Sequence, residues 1–239
     1  RCEGVSHSGR GVMDPSAIGA YGPWAASVVG DRPGTLSFRR EEWSDLGAWR
    51  DTAHRRLMDL LAQPDTEGLP EVRVEDTLAF DGLQVELLSW QLPYGPRTEA
   101  VALKPEGATG RLPGILGLHD HAGKKYFGRR KIARWKEDWH PMMLAHYDNY
   151  YGGVCWANEV ARRGYVVLVP DAFPFASRRV RTADVVERIR QGVSDENPED
   201  PEQIDAYNRW AAEHESTMAK SLFCAGTTWP GVFLAEDQR

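Results

Sequence analysis

Gly114-Ile115-Leu116-Gly117-Leu118-His119-Asp120-His121-Ala122-Gly123 is a short apolar run that breaks off into polar residues. Its apolar half suits a strand buried on both faces of a sheet. Downstream, the span from Gly153 to Arg163 sets Val154, Ala157, Val160 and Ala161 on one helical face, with Gly164 placed as the C-terminal cap. Tyr165-Val166-Val167-Leu168-Val169 then forms a second buried strand, closed by Pro170-Asp171. Strand, helix, glycine, strand, aspartate is the rhythm of a βαβ unit. The fold class expected is therefore α/β, with a mostly parallel sheet and helices on both faces.

Working outward, Glu71 to Lys104 carries short alternating runs (Val72 and Val74; Leu83, Val85 and Leu87; Ala100 to Leu103) punctuated by Gly82, Pro93, Gly95 and Pro105. This predicts an antiparallel start to the sheet. Before it, Leu46, Trp49, Ala53, Leu57, Leu60 and Leu61 recur at three- and four-residue steps, as in an amphipathic helix stopping before Pro64. Arg1 to Thr35, rich in Gly, Ser and Pro, reads as an irregular arm. Two regions follow: an arm and helix over 1–70, and the α/β domain over 71–239. Beyond the second strand, Thr182 to Gln191 reads as a short helix. Asp200-Pro201-Glu202-Gln203 supplies an N-cap, a first-turn proline and an N3 glutamine for a long helix ending near Gly226.

With 239 residues, 41% of them hydrophobic and 27% charged, the chain has the composition of a globular protein. A net charge of -6 argues against a nucleic-acid partner. The one basic run, Lys124 to Arg134, reads either as a solvated face or as a greeting for an anionic substrate. Cys2, Cys155 and Cys224 are odd in number and form no paired motif, so neither a disulfide framework nor a zinc site is expected. Cys155 and Cys224 read as small buried hydrophobes. No run approaches the ~18 continuous apolar residues of a membrane span, and no apolar signal-peptide region is seen. That points to a soluble, cytoplasmic chain, although a start at Arg1 rather than methionine leaves an upstream export signal open.

Polar groups at the carboxyl end of a parallel strand lie where open α/β sheets bind ligands. His119, Asp120, His121, Ala122 and Gly123 are the candidate site. The turn Ala122-Gly123 would let a substrate approach the backbone, and the amides of His121 and Ala122 are the candidate donors to an oxyanion.

LPGILGLHDHAG, followed by NEVARRGYVVLVPDAFPFASRR, resembles the α/β-hydrolase superfamily in its dienelactone-hydrolase and acetyl-xylan-esterase-like branch, over roughly Val72 to Arg239. The resemblance implies an α/β-hydrolase fold, carboxylic-ester hydrolysis, no cofactor, and a small-molecule or carbohydrate ester as substrate. It places His119 to Gly123 in the oxyanion loop after the third strand. It makes about 172–226 an insert shaping the substrate entrance, with Asp171, Phe173 and Arg178 as candidate substrate-binding residues. It also implies that the G-x-S-x-G serine should follow a helix begun near Gly231, so the triad Ser, Asp and His would lie beyond Arg239 in a chain incomplete at its C-terminus. Such a fragment, with an unpaired sheet edge, is expected to be inactive and weakly stable.

Other readings stay open. Gly4-Val5-Ser6-His7-Ser8-Gly9 superficially resembles a nucleophile elbow, without a preceding strand. His119 and His121 form an H-x-H pair able to hold a metal, giving a metal-dependent hydrolase, although no third ligand accompanies them and no metal is expected. Asp171 reads equally as a loop anchor, and Arg178 with Arg179 as a solvated pair. Trp135, Trp139, Tyr147, Tyr150, Tyr151 and Trp156 form core packing or a sugar platform. A non-catalytic α/β-hydrolase-like binding module is the rival from another class.

Overall fold

The structure is a computed structural model and describes residues 16–66, 68–197 and 199–239. Cys2 and the elbow-like Gly4–Gly9 stretch lie outside them. Two compact units divide between Met58 and Asp59.

The first unit is not wholly irregular. Its described part holds helix α1 (Gly22–Val29), with Pro23 in the first turn, and the start of α2 (Leu46–Leu61). Trp49 packs on Phe38 at 5.1 Å and donates its indole N–H to the Leu36 carbonyl. The periodicity finds α2, but the helix buries none of its residues.

The second unit is built on a five-stranded sheet of order β1-β2-β3-β5-β4. Strands β1 (Arg73–Phe80), β2 (Leu83–Trp90) and β3 (Thr98–Pro105) form the expected antiparallel start. Gly82, at φ +73°, makes the first tight turn. β4 (Gly114–Leu116) and β5 (Val166–Pro170) are parallel, and β5 lies antiparallel to β3. The expected mostly parallel sheet is therefore corrected to a mixed one with a single parallel pair, because the opening meander supplies three of the five strands. β4 is also corrected: it is a three-residue edge strand with Gly114 and Leu116 exposed, not one buried on both faces.

Helix α3 (Pro141–Tyr151) and helix α4 (Trp156–Arg162) fill the crossover from β4 to β5. α4 packs on one face of β2, β3 and β5. There Val85, Val101, Leu103, Val167 and Val169 meet Ala157 and Ala161, all with no exposed surface. The opposite face is only partly covered: Leu88 and Leu168 are half-buried around Trp90 and Ala100, and Leu116 is exposed. Among the described residues, α4 gives one face its extensive helical packing.

The Thr182–Gln191 helix breaks into a 3-10 turn and the short α5 (Glu187–Arg190), ended by Gln191 in the left-handed region. α6 (Pro201–Cys224) starts as predicted, the Asp200 carboxylate accepting from the amides of Glu202 and Gln203. α7 (Trp229–Asp237) is capped by Thr228. Cys155 is half-buried and Cys224 is exposed, correcting the expectation of two buried thiols. Among the described residues no helix is long and apolar enough to cross a membrane.

Candidate active site

The polar loop leaves β4 at Gly117, whose amide still donates to the Leu168 carbonyl at 2.7 Å. This carries β4's direction into His119–Gly123. His119 sits beneath the loop. Its Nε2 accepts the Ala172 amide at 3.1 Å, and its Nδ1 lies 3.1 Å from the Asp120 carbonyl. Burial, helped by the nearby Lys131 charge, pushes this imidazole down to about 4, so it is neutral and donates from Nδ1.

Asp120 points into a pocket of hydrogen-bond donors. Its Oδ2 accepts from the Tyr151 hydroxyl at 2.6 Å and lies 3.0 Å from His146 Nε2. Burial would raise this carboxyl, but those two bonds and the Lys131 charge outweigh burial and hold it below the usual range. Its Oδ1 has no hydrogen-bond partner among the described residues.

His121 is more exposed. Its Nε2 lies 2.9 Å from Glu215 Oε1 and 3.0 Å from Lys125 Nζ, and its Nδ1 accepts the Gly123 amide. The rings of His119 and His121 both meet Phe175 edge-on, at 5.0 and 5.4 Å. Both imidazoles reach the Phe175 ring, but all four ring nitrogens are engaged with protein groups. Among the described residues no cluster of three His, Cys, Asp or Glu side chains is placed to hold a metal.

Ala122 and Gly123 both adopt left-handed backbone, at φ +35° and +66°. No atom lies within 4 Å of where a Gly123 side chain would begin, so this turn is open to an approaching molecule. The Gly123 amide is taken by His121. The amides of His121 and Ala122 donate to no acceptor among the described residues.

The basic run is not the wholly solvated face that one of its readings expects. Lys125 and Lys131 are buried and Arg129 is paired. Lys125 bonds Glu215 at 2.5 Å and rests over Phe175. Lys131 has no exposed surface and donates to the Asp120 and His121 carbonyls, each at 2.9 Å. Burial brings it down to about 7.

Asp171 is an anchor. Its carboxylate accepts from the Arg129 amide at 2.7 Å, the Arg129 guanidinium, and the Ser177 hydroxyl at 2.8 Å, with no exposed surface. Arg178 is equally interior, paired to Glu236 at 2.5 Å and donating to the Pro96 carbonyl. Both expected substrate-binding residues are thus buried and engaged with other protein groups. Phe173 is half-buried against Trp229 and Phe233 at 5.6 and 6.3 Å. Those two rings, with His121, Glu215, Ala212 and Pro230, line an open cleft of about 580 Å³. In the aromatic stretch, Trp139 and Tyr147 are buried and hydrogen-bonded to each other, so packing accounts for them.

The sequence did not single out His146 and Glu215 around this loop, and it read Lys125 and Lys131 only as part of the basic run and Tyr151 only as part of the aromatic stretch. A weak signal existed for the two lysines, since Tyr126 follows Lys125 and Ile132-Ala133 follow Lys131, apolar neighbours that do not suit a wholly solvated face. Nothing local singled out Glu215, which arrives from α6.

No protein-family model matches the sequence, and no curated protein matches it. Among solved structures, a candidate acetyl xylan esterase from Bacteroides fragilis is similar at 16% identity and a TM-score of 0.57, over 98% of this chain and 51% of that one. A glucuronoyl esterase from Solibacter usitatus, 15% identical over 74% of this chain and 50% of that one, has a TM-score of 0.36, too low to bear on the fold. The chain spans about half the length of these structures. The first likeness, together with the β4-α3-α4-β5 crossover and its antiparallel approach strands, shows that the chain has an α/β-hydrolase-type fold.

Proposed function

We propose that this chain supplies the oxyanion-binding part of a carboxylic-ester hydrolase, acting on a small-molecule or carbohydrate ester. The observation that carries the reading is the open turn at Ala122-Gly123, at the carboxyl end of a parallel strand, where the amides of His121 and Ala122 are among the loop amides that donate to no acceptor among the described residues. When a hydroxyl attacks an ester, its carbonyl oxygen gains a full negative charge. Fixed N–H donors stabilise that charge without reorganising, and removing one such donor costs roughly 10²–10³ in rate. The adjoining cleft, walled by Trp229 and Phe233, offers flat apolar surface to the acyl or alcohol portion.

Among the described residues no serine hydroxyl is hydrogen-bonded to a histidine. The nucleophile in this proposal is a serine in the remainder of a longer protein. The same observation favours the rival, a ligand-binding module without catalysis. The two readings separate on treating the complete protein with p-nitrophenyl acetate and a fluorophosphonate. Turnover, with a serine outside residues 1–239 labelled, is expected. Neither turnover nor labelling would leave the binding module.

A further inference from the structure

A lysine with no exposed surface and no carboxylate within ion-pair distance is costly, because burial removes a strongly hydrated charge from water. Among the described residues Lys131 is such a residue, and methionine would fill the space without that cost. Its amine donates to two successive carbonyls, those of Asp120 and His121, each at 2.9 Å, and it rests 4.3 Å from the centre of the Phe175 ring. In a planar trans peptide the carbonyl of one residue and the N–H of the next point in opposite directions. Drawing the Asp120 carbonyl toward Lys131 therefore turns the His121 N–H away from it. Drawing in the His121 carbonyl does the same to the Ala122 N–H. Both are among the loop amides that donate to no acceptor among the described residues.

We infer that Lys131 is the positioning residue of the oxyanion site, fixing the two peptide planes so that both donors face the open side of the loop. The inference rests on the proposed ester-hydrolase reading for its catalytic consequence, but not for its geometry. A donor at each carbonyl also polarises its peptide and strengthens the opposite N–H. The lysine is in turn placed by the Arg129–Lys131 turn, which Asp171 holds through the Arg129 amide and guanidinium. Asp120 is braced separately, by Tyr151 and His146.

The test compares Lys131→Met, of similar volume without a donor, and Lys131→Gln, which keeps N–H donors without charge. In the complete protein, kcat for p-nitrophenyl acetate is expected to fall about 10- to 100-fold in Lys131→Met with KM unchanged, as for an interaction expressed in the transition state. Lys131→Gln is expected to retain more of kcat. In the same complete protein, the carbonyl carbon resonances of Asp120 and His121 are expected to move upfield in Lys131→Met while those of β3 and β5 stay in place. Unmoved carbonyls would overturn the inference whether or not the protein cleaves esters. Shifted carbonyls with kcat intact in an active enzyme would overturn its catalytic part. Shifted carbonyls in a wild-type protein without ester turnover would uphold the geometry and sink the proposed function instead.

Discussion

Replacing Lys131 by methionine exchanges two opposed costs whose balance depends on pH. Lowering the amine from 10.5 to about 7 corresponds to about 5 kcal/mol of stability forgone by the folded state. The sign follows from proton binding. A lysine whose folded value is depressed is protonated more readily when unfolded, so its penalty is complete below pH 7. The penalty is relieved as pH rises toward 10.5. Against this, Lys131→Met leaves the Asp120 and His121 carbonyls without a donor, at about 1–3 kcal/mol each. At pH 10 the variant should be clearly less stable than wild type. At pH 6.5 the two should be similar, or the variant more stable. Urea unfolding of both proteins at pH 6.5 and 9.5 reads the difference, which should change by about 3 kcal/mol in favour of wild type at the higher pH. Groups common to both proteins cancel. A difference independent of pH would show that Lys131 is not a buried, readily deprotonated amine, and would refute the reasoning.

Tyr151→Phe removes the 2.6 Å bond to the Asp120 carboxylate and should cost about 1.5–3 kcal/mol in urea unfolding, with Asp120 titrating at higher pH in carboxyl-carbon NMR. Asp171→Asn strips a fully buried carboxylate from Arg129 and Ser177. It should cost about 3–5 kcal/mol, and a loss under 1 kcal/mol would contradict the anchoring role. His119 is held neutral with its folded value near 4, so the unfolded state takes up its proton first. About 3 kcal/mol is lost as pH falls from 6.5 to 4, and His119→Gln should flatten that part of the acid-unfolding profile.

The sequence exposes the strand-helix-strand unit because its signals are local: short continuous apolar runs, a helical face, and Gly164 beyond the helix end. The Ala122–Gly123 turn was legible for the same reason. Helix α3 escaped notice although His140 caps it, Pro141 opens it and Gly152 closes it in the left-handed region, because its aromatic residues read as a cluster rather than a periodic face. The interiors of the ion pairs were the least legible. Arg178 finds Glu236 across 58 residues, Arg129 finds Asp171 across 42, and Lys125 meets Glu215 from α6. A charge looks solvated until the fold supplies its partner. The edge position of β4 was hidden too, since Ile115 and its neighbours are equally apolar at an edge or a centre.

The most direct test of the oxyanion assignment is the amide spectrum of the complete protein before and after its reaction with a p-nitrophenyl phosphonate, which leaves a tetrahedral anion at the nucleophile. The His121 and Ala122 amide protons are expected to move downfield together, as donors to a new charged acceptor, while the Gly123 amide, already bonded to His121, stays in place. An adduct that forms with the His121 and Ala122 amides unmoved would contradict the assignment.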